Sequence, residues 1–149
     1  MGSGSDPRVG ELSPAETWDK LTQDAASVLI DVRTRAEWTF VGAPDLSSLD
    51  RETIFVEWQV WPDMSHNPRF VAELQETLGG RVPTAMMFLC RSGVRSLAAA
   101  QATAAAYATQ GHDVGCINVL GGFEGDLDRE RHRGGVSGWK VAGLPWRQA

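Results

Sequence analysis

Short apolar runs alternate along the chain with longer amphipathic stretches. Runs rich in β-branched and other apolar residues predict buried strands, and four occur: SVLIDVR at 27–33, TIFVEW at 53–58, TAMMFLC at 84–90 and CINVLGG at 116–122. Each run is a few residues long, whereas a membrane-spanning helix needs about 20 apolar residues. Because helical segments separate the strands, the pattern predicts an α/β domain with a mainly parallel sheet.

Helix boundaries are marked by capping residues, prolines and glycines. Ser13 to Glu16 have the form of a capping box with proline at the first helical position, which predicts a helix from Pro14 to Asp24. Apolar residues at helical spacing predict a second helix that starts at Asn67-Pro68 and stops at Gly79-Gly80. The alanine-rich residues 96–110 predict a third helix.

Four further stretches carry weaker patterns. Residues 34–40 predict one or two helical turns, and the aromatic, proline-bearing residues 58–68 predict a loop. The charged, glycine-bearing residues 126–137 predict an excursion on the surface. Residues 138–146 predict a short closing helix followed by an extended tail.

Composition and charge limit the function classes. The chain has 149 residues, of which 42% are hydrophobic, as is usual for one globular domain. We assign residues 13–149 to a single domain and residues 1–12 to a flexible N-terminal tail. The net charge of -5 provides no basic field, so neither nucleic acid nor a membrane is expected as a partner. The first ten residues lack the basic and apolar regions of a signal peptide, which predicts a cytoplasmic location.

Cys90 lies where the third strand gives way to the alanine-rich helix, in the segment CRSGVRS. Gly93 permits a tight loop, and a loop that leads into a helix turns backbone N–H groups toward one point. The helix dipole and the charges of Arg91 and Arg95 favour a thiolate at that point. A lone cysteine is more often a small core residue, but that role requires neither the loop nor the arginines. The segment therefore predicts a reactive cysteine.

Three segments, in this order, resemble motifs of the rhodanese (sulfurtransferase) family. LIDVRTRAEW at 29–38 is similar to the DVR-x-x-x-E segment of the family, CRSGVRS at 90–96 to its active-site loop, and NVLGGFEGD at 118–126 to its strand and glycine turn after the catalytic helix. The resemblance runs from about residue 14 to Trp146. It implies a rhodanese-like fold, with a central, mainly parallel, five-stranded sheet and helices on both faces.

The resemblance also implies an activity. Cys90 would take sulfane sulfur from a small anionic donor such as thiosulfate, carry it as a persulfide and pass it to a thiophilic acceptor such as cyanide, without a metal or an organic cofactor. Inward-facing N–H groups of residues 91–95 would stabilise the persulfide, and Arg91 would orient the donor. The residues expected to bind the donor form one loop: Arg91, Ser92, Gly93, Val94, Arg95 and Ser96.

Charged residues of the 29–38 motif are expected to organise this loop. They are Asp31, Arg33 and Glu37. Arg95 either contacts the donor or pairs with Asp31 or Glu37, because a buried arginine generally requires a carboxylate partner. The sequence leaves both roles open. An alternative for Arg33 is a charge at the rim of the site with no specific task.

The chain departs from the family pattern in three places. At 40–46 it has FVGAPDL where a GHIPGA-like stretch is expected. The loop that contains Trp58, Trp61 and His66, together with residues 126–137, elaborates a minimal domain. These elaborations either shape the pocket or form a partner surface. For the tryptophans we favour a third role, which is to cover the edge of the sheet.

The remaining polar residues predict no further site. Cys116 begins a strand whereas Cys90 ends one, so a disulfide between them is not expected. Gly121-Gly122 lacks the spacing of a nucleotide-binding loop and is interpreted as a turn. The histidines have no metal-ligand spacing and are expected on the surface: His66, His112 and His132.

Two other function classes stay open. A cysteine-dependent phosphatase or arsenate reductase also holds a thiolate in an anion-binding loop that ends at arginine. Those loops resemble C-x5-R, whereas four residues separate Cys90 from Arg95, which disfavours that class. The second alternative is a non-catalytic sulfur carrier or regulatory binding module, for which the sequence identifies no acceptor protein.

Overall fold

The computed structural model describes residues 9–148 and contains one main sheet, two short strand pairs and four α-helices within that range. In chain order the elements are β1 (Gly10–Leu12), α1 (Pro14–Gln23), β2 (Ser27–Asp31), α2 (Arg35–Phe40), β3 (Ala43–Pro44), a 3-10 helix (Ser47–Leu49), β4 (Ile54–Phe55), β5 (Gln59–Val60), β6 (Ser65–His66), α3 (Phe70–Leu78), β7 (Ala85–Leu89), α4 (Val94–Thr109), β8 (Gly115–Val119) and β9 (Trp146–Arg147).

The main sheet has five parallel strands in the order β1-β8-β7-β2-β4. β7 is central and all five of its residues are buried, as expected for a parallel strand covered on both faces. In the register, Asp31 at the end of β2 lies beside Leu89 at the end of β7. The carboxyl ends of these two strands therefore bring Asp31 and the residue after Leu89, which is Cys90, to the same edge of the sheet.

Helices cover both faces of this sheet. On one face, side chains of α3 and α4 such as Leu74 and Ala99 pack with Met86 and Phe88 of β7. On the other face, Leu21 of α1 packs with β2 and β7 in a second buried cluster. The predicted architecture, an α/β domain with a five-stranded parallel sheet between helices, is confirmed.

The helix starts follow the capping signals. Ser13 and Glu16 form the predicted capping box of α1, at distances of 2.8 and 3.1 Å. Thr34 and Glu37 form a second capping box that starts α2. α4 begins at Val94, two residues earlier than predicted, because Gly93 at φ 121° turns the chain directly into the helix.

Several predicted boundaries differ from the structure. Residues 10–12, assigned to a flexible tail, form the edge strand β1, which pairs with β8; residues 1–8 lie outside the described residues. TIFVEW contributes only Ile54–Phe55 to the sheet. The stretch 58–68, predicted as a loop, contains the antiparallel pair of β5 and β6.

The closing helix predicted for 138–146 is wrong. The segment instead forms hydrogen-bonded turns, with positive φ at Gly138 and Gly143, before β9 pairs with β3. Its anchor is Trp139, which is fully buried and whose indole N–H donates to Pro145 O at 2.8 Å. Tertiary packing of this side chain therefore determines the backbone path.

Across residues 9–148, none of the helices combines the length and the apolar character that crossing a bilayer requires.

Candidate active site

Cys90 follows β7 directly and lines a cleft of about 800 Å³. The residue is 1% exposed. Its Sγ accepts a hydrogen bond from the Gly93 N–H at 3.1 Å and lies 3.2 Å from the Ser96 hydroxyl oxygen. These two groups give the sulfur a polar environment that a purely structural cysteine does not need.

Ser96 connects the sulfur to β8. Its hydroxyl oxygen lies 2.6 Å from Asn118 Oδ1, and Asn118 Nδ2 donates to Gly93 O at 3.2 Å. A hydroxyl carries one proton, so Ser96 donates either to Asn118 or to Cys90 Sγ at any moment. Asn118 therefore holds both the serine and the loop glycine in place around the sulfur.

The loop backbone is fixed from the opposite side by the segment 121–125. Cys90 O accepts from the Phe123 N–H at 2.7 Å, and Arg91 O accepts from the N–H groups of Glu124 and Gly125, each at 3.0 Å. In a trans peptide the N–H points away from the preceding carbonyl, so the N–H groups of residues 91 and 92 point away from this segment. Within the described residues neither has an acceptor.

Gly122 is required for this approach. A Cβ at this position would lie 2.6 Å from the Arg91 carbonyl carbon and 2.7 Å from Arg91 O, and the residue has φ +60°. The Gly121-Gly122 pair forms a turn, as predicted. Its further role, as the place where another loop docks on the cysteine loop, is not visible in the sequence.

Of the five amides in residues 91–95 expected to face the sulfur, one lies within hydrogen-bonding distance of Sγ, that of Gly93. In a persulfide the terminal sulfur lies about 2 Å beyond Sγ. The structure therefore places one of the five amides, and not all of them, at the sulfur of the unmodified cysteine.

Arg95 pairs with Glu37, one of its two predicted partners. The ion pair is bidentate, with Nη1 to Oε1 at 2.7 Å and Nη2 to Oε2 at 2.8 Å. Burial alone would raise the pKa of Glu37, but the hydrogen bonds and charge of Arg95, together with hydrogen bonds from Thr34, lower it to about 2. The pair joins the start of α4 to α2 and leaves little of the Arg95 fork for a ligand.

Asp31 pairs with Arg33 in the interior. Both side chains are fully buried, and Arg33 Nη2 donates to Asp31 Oδ2 and to Gly42 O, each at 2.7 Å. The guanidinium stacks 4.3 Å from the centre of the Phe123 ring. The alternative of a rim charge for Arg33 is therefore wrong; the side chain ties β2 to residue 42 and to the 121–125 segment.

The rest of the predicted loop lines the cleft. Arg91 and Val94 are exposed, Val94 by 79%, and Ser92 is half-buried. Apolar side chains form much of the remaining rim, including Phe40, 79% exposed, and Trp61, 60% exposed. The cleft thus combines a polar bottom with a largely apolar rim.

Two charged residues of the cleft were not found from the sequence. Glu124 lies in the segment that docks on the cysteine loop, and Arg133 lies in the excursion 126–137. Glu124 belongs to the 118–126 motif, but nothing in that motif marks it as a cleft residue. Arg133 has no signal in the sequence beyond its charge.

The tryptophans of the 58–68 stretch have different roles. Trp58 packs edge-on against Phe70, at 5.1 Å between ring centres, and covers the core next to β4 as expected. Trp61 instead projects into the rim of the cleft. The role favoured for the tryptophans, which is to cover the edge of the sheet, therefore fits Trp58, whereas Trp61 lines the cleft.

Cys116 and the histidines are not among the residues that line the cleft. Cys116 is a free, buried thiol, and burial raises its pKa to about 12. The three histidines are exposed, as predicted. Within residues 9–148, no three His, Cys, Asp or Glu side chains are grouped in a way that could hold a metal ion.

Comparison with known proteins identifies relatives over nearly the whole chain. The uncharacterized protein RC0915 of Rickettsia conorii is 32% identical over 139 residues, which cover 93% of this chain and 98% of that protein. The crystal structure of Rv0390 from M. tuberculosis is 48% identical, covers 95% of this chain and 98% of its own, and superimposes with a TM-score of 0.80. No family model matches the chain.

A more distant structural match is a rhodanese-like domain protein from Staphylococcus aureus, with 18% identity, coverage of 76% of this chain and 87% of that chain, and a TM-score of 0.46. A likeness at this level says nothing about activity. The relatives at 32% and 48% identity are similar along their full length. The chain therefore belongs to one family with RC0915 and Rv0390.

Proposed function

We propose that the protein is a sulfurtransferase in which Cys90 accepts a sulfane sulfur as a persulfide and passes it to an acceptor. One observation carries the proposal: Cys90 lines the cleft, and its Sγ has the Gly93 N–H at 3.1 Å and the Ser96 hydroxyl at 3.2 Å. Hydrogen-bond donors directed at a sulfur favour its anionic form, which is the nucleophile.

In the first step the Cys90 thiolate attacks the outer sulfur of thiosulfate. The new S–S bond leaves a Cys90 persulfide, and the electron pair of the broken bond departs with sulfite. The negative charge moves from Sγ to the terminal sulfur, about 2 Å farther into the cleft. Amides of residues 91, 92 and 94, which have no acceptor within the described residues, stabilise that charge.

In the second step an acceptor attacks the terminal sulfur. Cyanide attacks through carbon, forms thiocyanate, and the electron pair of the broken S–S bond returns to Cys90 as the thiolate. Neither step consumes a metal ion or an organic cofactor. A thiol of an acceptor protein serves the same role as cyanide.

The phosphatase alternative is weakened by Arg95. A phosphatase loop uses both ends of its arginine fork for the phosphate. Here Glu37 occupies Nη1 and Nη2 at 2.7 and 2.8 Å. Cys90-dependent hydrolysis of a small aryl phosphate is therefore not expected.

The test of this proposal measures the rate at which the protein forms thiocyanate from thiosulfate and cyanide. We expect turnover by the wild type and loss of at least about 10³-fold in Cys90→Ser, because the nucleophile is removed. Cys116→Ala is the matched control, since it removes the other buried thiol, which does not line the cleft, and its activity should stay within about twofold of wild type. Turnover that survives Cys90→Ser would remove Cys90 from the mechanism.

Intact mass separates the enzyme from a carrier or a regulatory module. After thiosulfate treatment, the wild type should gain the mass of one sulfur atom, and cyanide should remove it. A carrier would gain the sulfur but release it only slowly to cyanide. A module without sulfur chemistry would show no gain.

A further inference from the structure

Three arginines line the cleft, and their surroundings differ. Arg95 is bound at both ends by Glu37. Arg91 is exposed, whereas Arg133 is half-buried. Within residues 9–148, no carboxylate lies within 4.0 Å of the Arg133 guanidinium, so its charge is not neutralised by a direct partner.

Arg133 is held on the same backbone as the cysteine loop. Its Nη1 donates to Gly125 O at 2.7 Å, and the Gly125 N–H donates to Arg91 O at 3.0 Å. The next residue, Gly134, donates its N–H to Glu124 O at 2.7 Å. Two short links therefore connect the guanidinium to the residue next to Cys90.

The segment before Arg133 is closed by its own hydrogen bonds. Asp128 Oδ1 accepts from the N–H groups of Glu130 and His132, each at 2.8 Å, and the Asp128 N–H donates to His132 O at 2.8 Å. This turn fixes the chain that leads to Arg133. The arginine is thus positioned before any ligand arrives, which lowers the entropic cost of binding one.

The charges of the cleft favour an anion. Arg95 and Glu37 neutralise each other, which leaves Arg91 and Arg133 against Glu124. A guanidinium has five N–H donors, and Arg133 uses one for Gly125 O. The remaining donors have the fork geometry that suits the oxygens of a sulfonate.

We propose that Arg133 binds the sulfonate end of an oxyanionic sulfur donor and stabilises the departing sulfite, so that residues 126–137 determine donor specificity. This inference rests on the proposed function. When the Cys90 thiolate takes the outer sulfur, the bond to the sulfonate sulfur breaks and its electron pair leaves with sulfite, whose charge Arg133 then faces. The second step involves no oxyanion, and cyanide should not need Arg133.

The experiment measures the two steps separately in single turnovers. The first is persulfide formation with thiosulfate, followed by intact mass, and the second is the release of thiocyanate from persulfide-loaded protein. The variants are Arg133→Ala, Arg133→Lys and, as the matched control, Arg129→Ala. Arg129 has the same charge, lies in the same segment and is exposed outside the cleft.

We expect Arg133→Ala to slow persulfide formation by about 10- to 100-fold, the range for a charge-assisted hydrogen bond to an anion. Arg133→Lys should recover part of this loss, because it keeps the charge but not the fork. Arg129→Ala should stay within about twofold of wild type. In all three variants, loaded protein should transfer sulfur to cyanide at the wild-type rate.

Two results would overturn the inference while leaving the proposed function intact. One is persulfide formation in Arg133→Ala as fast as in Arg129→Ala. The other is an equal loss in both steps, which would indicate a damaged loop and no selective role in donor binding. Absence of any persulfide in the wild type would instead overturn the proposed function itself.

Discussion

The two cysteines of the chain are both buried, Cys90 by all but 1% and Cys116 by all but 3%, yet within residues 9–148 hydrogen-bond donors contact only the sulfur of Cys90. Cys90 lies beyond the carboxyl end of β7, where a loop and a helix start supply hydrogen-bond donors. Cys116 lies near the beginning of β8 beside Met86, four residues before Cys90 in the adjacent strand. Exposure alone thus does not distinguish a reactive thiol from an inert one.

The rate of alkylation is expected to differ most strongly between the two cysteines. Burial raises the pKa of Cys116 to about 12, so at pH 8 about one molecule in 10⁴ carries the thiolate. We expect iodoacetamide to label Cys116 at least about 10³-fold more slowly in the folded protein than in guanidinium, and more slowly than Cys90. The rate should rise with pH toward 12, because the neutral thiol is the form that burial favours.

Peptide mapping by mass spectrometry assigns the label to each cysteine. In guanidinium both should react at similar rates, which serves as the internal control. Labelling of Cys116 as fast as that of Cys90 in the folded protein would contradict the comparison.

A second way to break the contrast is to displace the loop that holds Cys90. Gly122→Ala places a Cβ 2.6 Å from the Arg91 carbonyl carbon at φ +60°. We expect a loss of about 3 kcal/mol in the free energy of unfolding and about 100-fold in thiocyanate formation, because the loop must shift. Urea denaturation and the sulfur-transfer assay measure the two effects.

Gly79→Ala is the matched control. Gly79 has nearly the same backbone conformation, φ +62°, but no atom lies within 4 Å of the site of its Cβ. It should cost about 1 kcal/mol and leave activity unchanged. If the two variants behaved alike, the contact with Arg91 would not matter and only backbone strain would remain as the cause.

A third prediction concerns the ion pair of Glu37 and Arg95, which clamps α2 to α4. Because Arg95 and Thr34 lower the pKa of Glu37 from 4.5 to about 2, the ionised form stabilises the fold above pH 4.5, and this contribution is lost as pH falls from 4.5 to 2. Glu37→Gln should lower the free energy of unfolding at pH 7 by about 2 kcal/mol, after allowance for partial exposure. It should also make this free energy depend less steeply on pH between 4.5 and 2.

The control for this variant is Glu76→Gln. Glu76 pairs with Arg69 at 2.9 Å, but both side chains are more than half exposed, so its loss should cost under about 0.5 kcal/mol. Thermal unfolding between pH 2 and pH 7 provides the measurement. Parallel pH profiles for wild type and Glu37→Gln would mean that the clamp contributes nothing to acid stability.

The sequence predicts the loop around Cys90 because the residues that form it are neighbours in the chain. A buried strand, a glycine and an alanine-rich helix are adjacent in the chain, and their order determines the loop. The partner of Arg95 could not be chosen, since Asp31 and Glu37 both belong to the same motif and only the packing of α2 against α4 selects Glu37.

The features that were missed depend on distant contacts. β1 has no apolar run of its own, and its pairing comes from the exposed edge of β8. The closing segment was expected to contain a short helix, but burial of Trp139 and the positive φ values of Gly138 and Gly143 exclude one. Arg133 reaches the cleft only because Gly125 and Glu124 hold its segment there.

The substitution Ser96→Ala removes one of the two hydrogen-bond donors at the Cys90 sulfur, and we expect its effect to be the smallest. Ser96→Ala deletes the hydroxyl 3.2 Å from Sγ and leaves Asn118 Oδ1 without its partner at 2.6 Å. We expect persulfide formation to fall about 10-fold, while the Gly93 N–H continues to support the sulfur. Ser92→Ala removes a hydroxyl from the same loop that makes no hydrogen bond to Sγ within the described residues, and its effect should be smaller.

In Ser96→Ala, a loss of stability can be distinguished from a change in the reactivity of the Cys90 sulfur. The buried Asn118 oxygen costs about 1 to 3 kcal/mol of stability when it loses its partner, and this loss is the same whether or not Cys90 carries sulfur. The hydroxyl can turn toward a thiolate only by giving up Asn118, so its contribution to reactivity should appear as a change in the pH dependence of alkylation at Cys90. If Ser96→Ala lowers stability but leaves that pH profile unchanged, Ser96 holds β8 to the loop, and the Gly93 N–H alone accounts for the difference between the two cysteines.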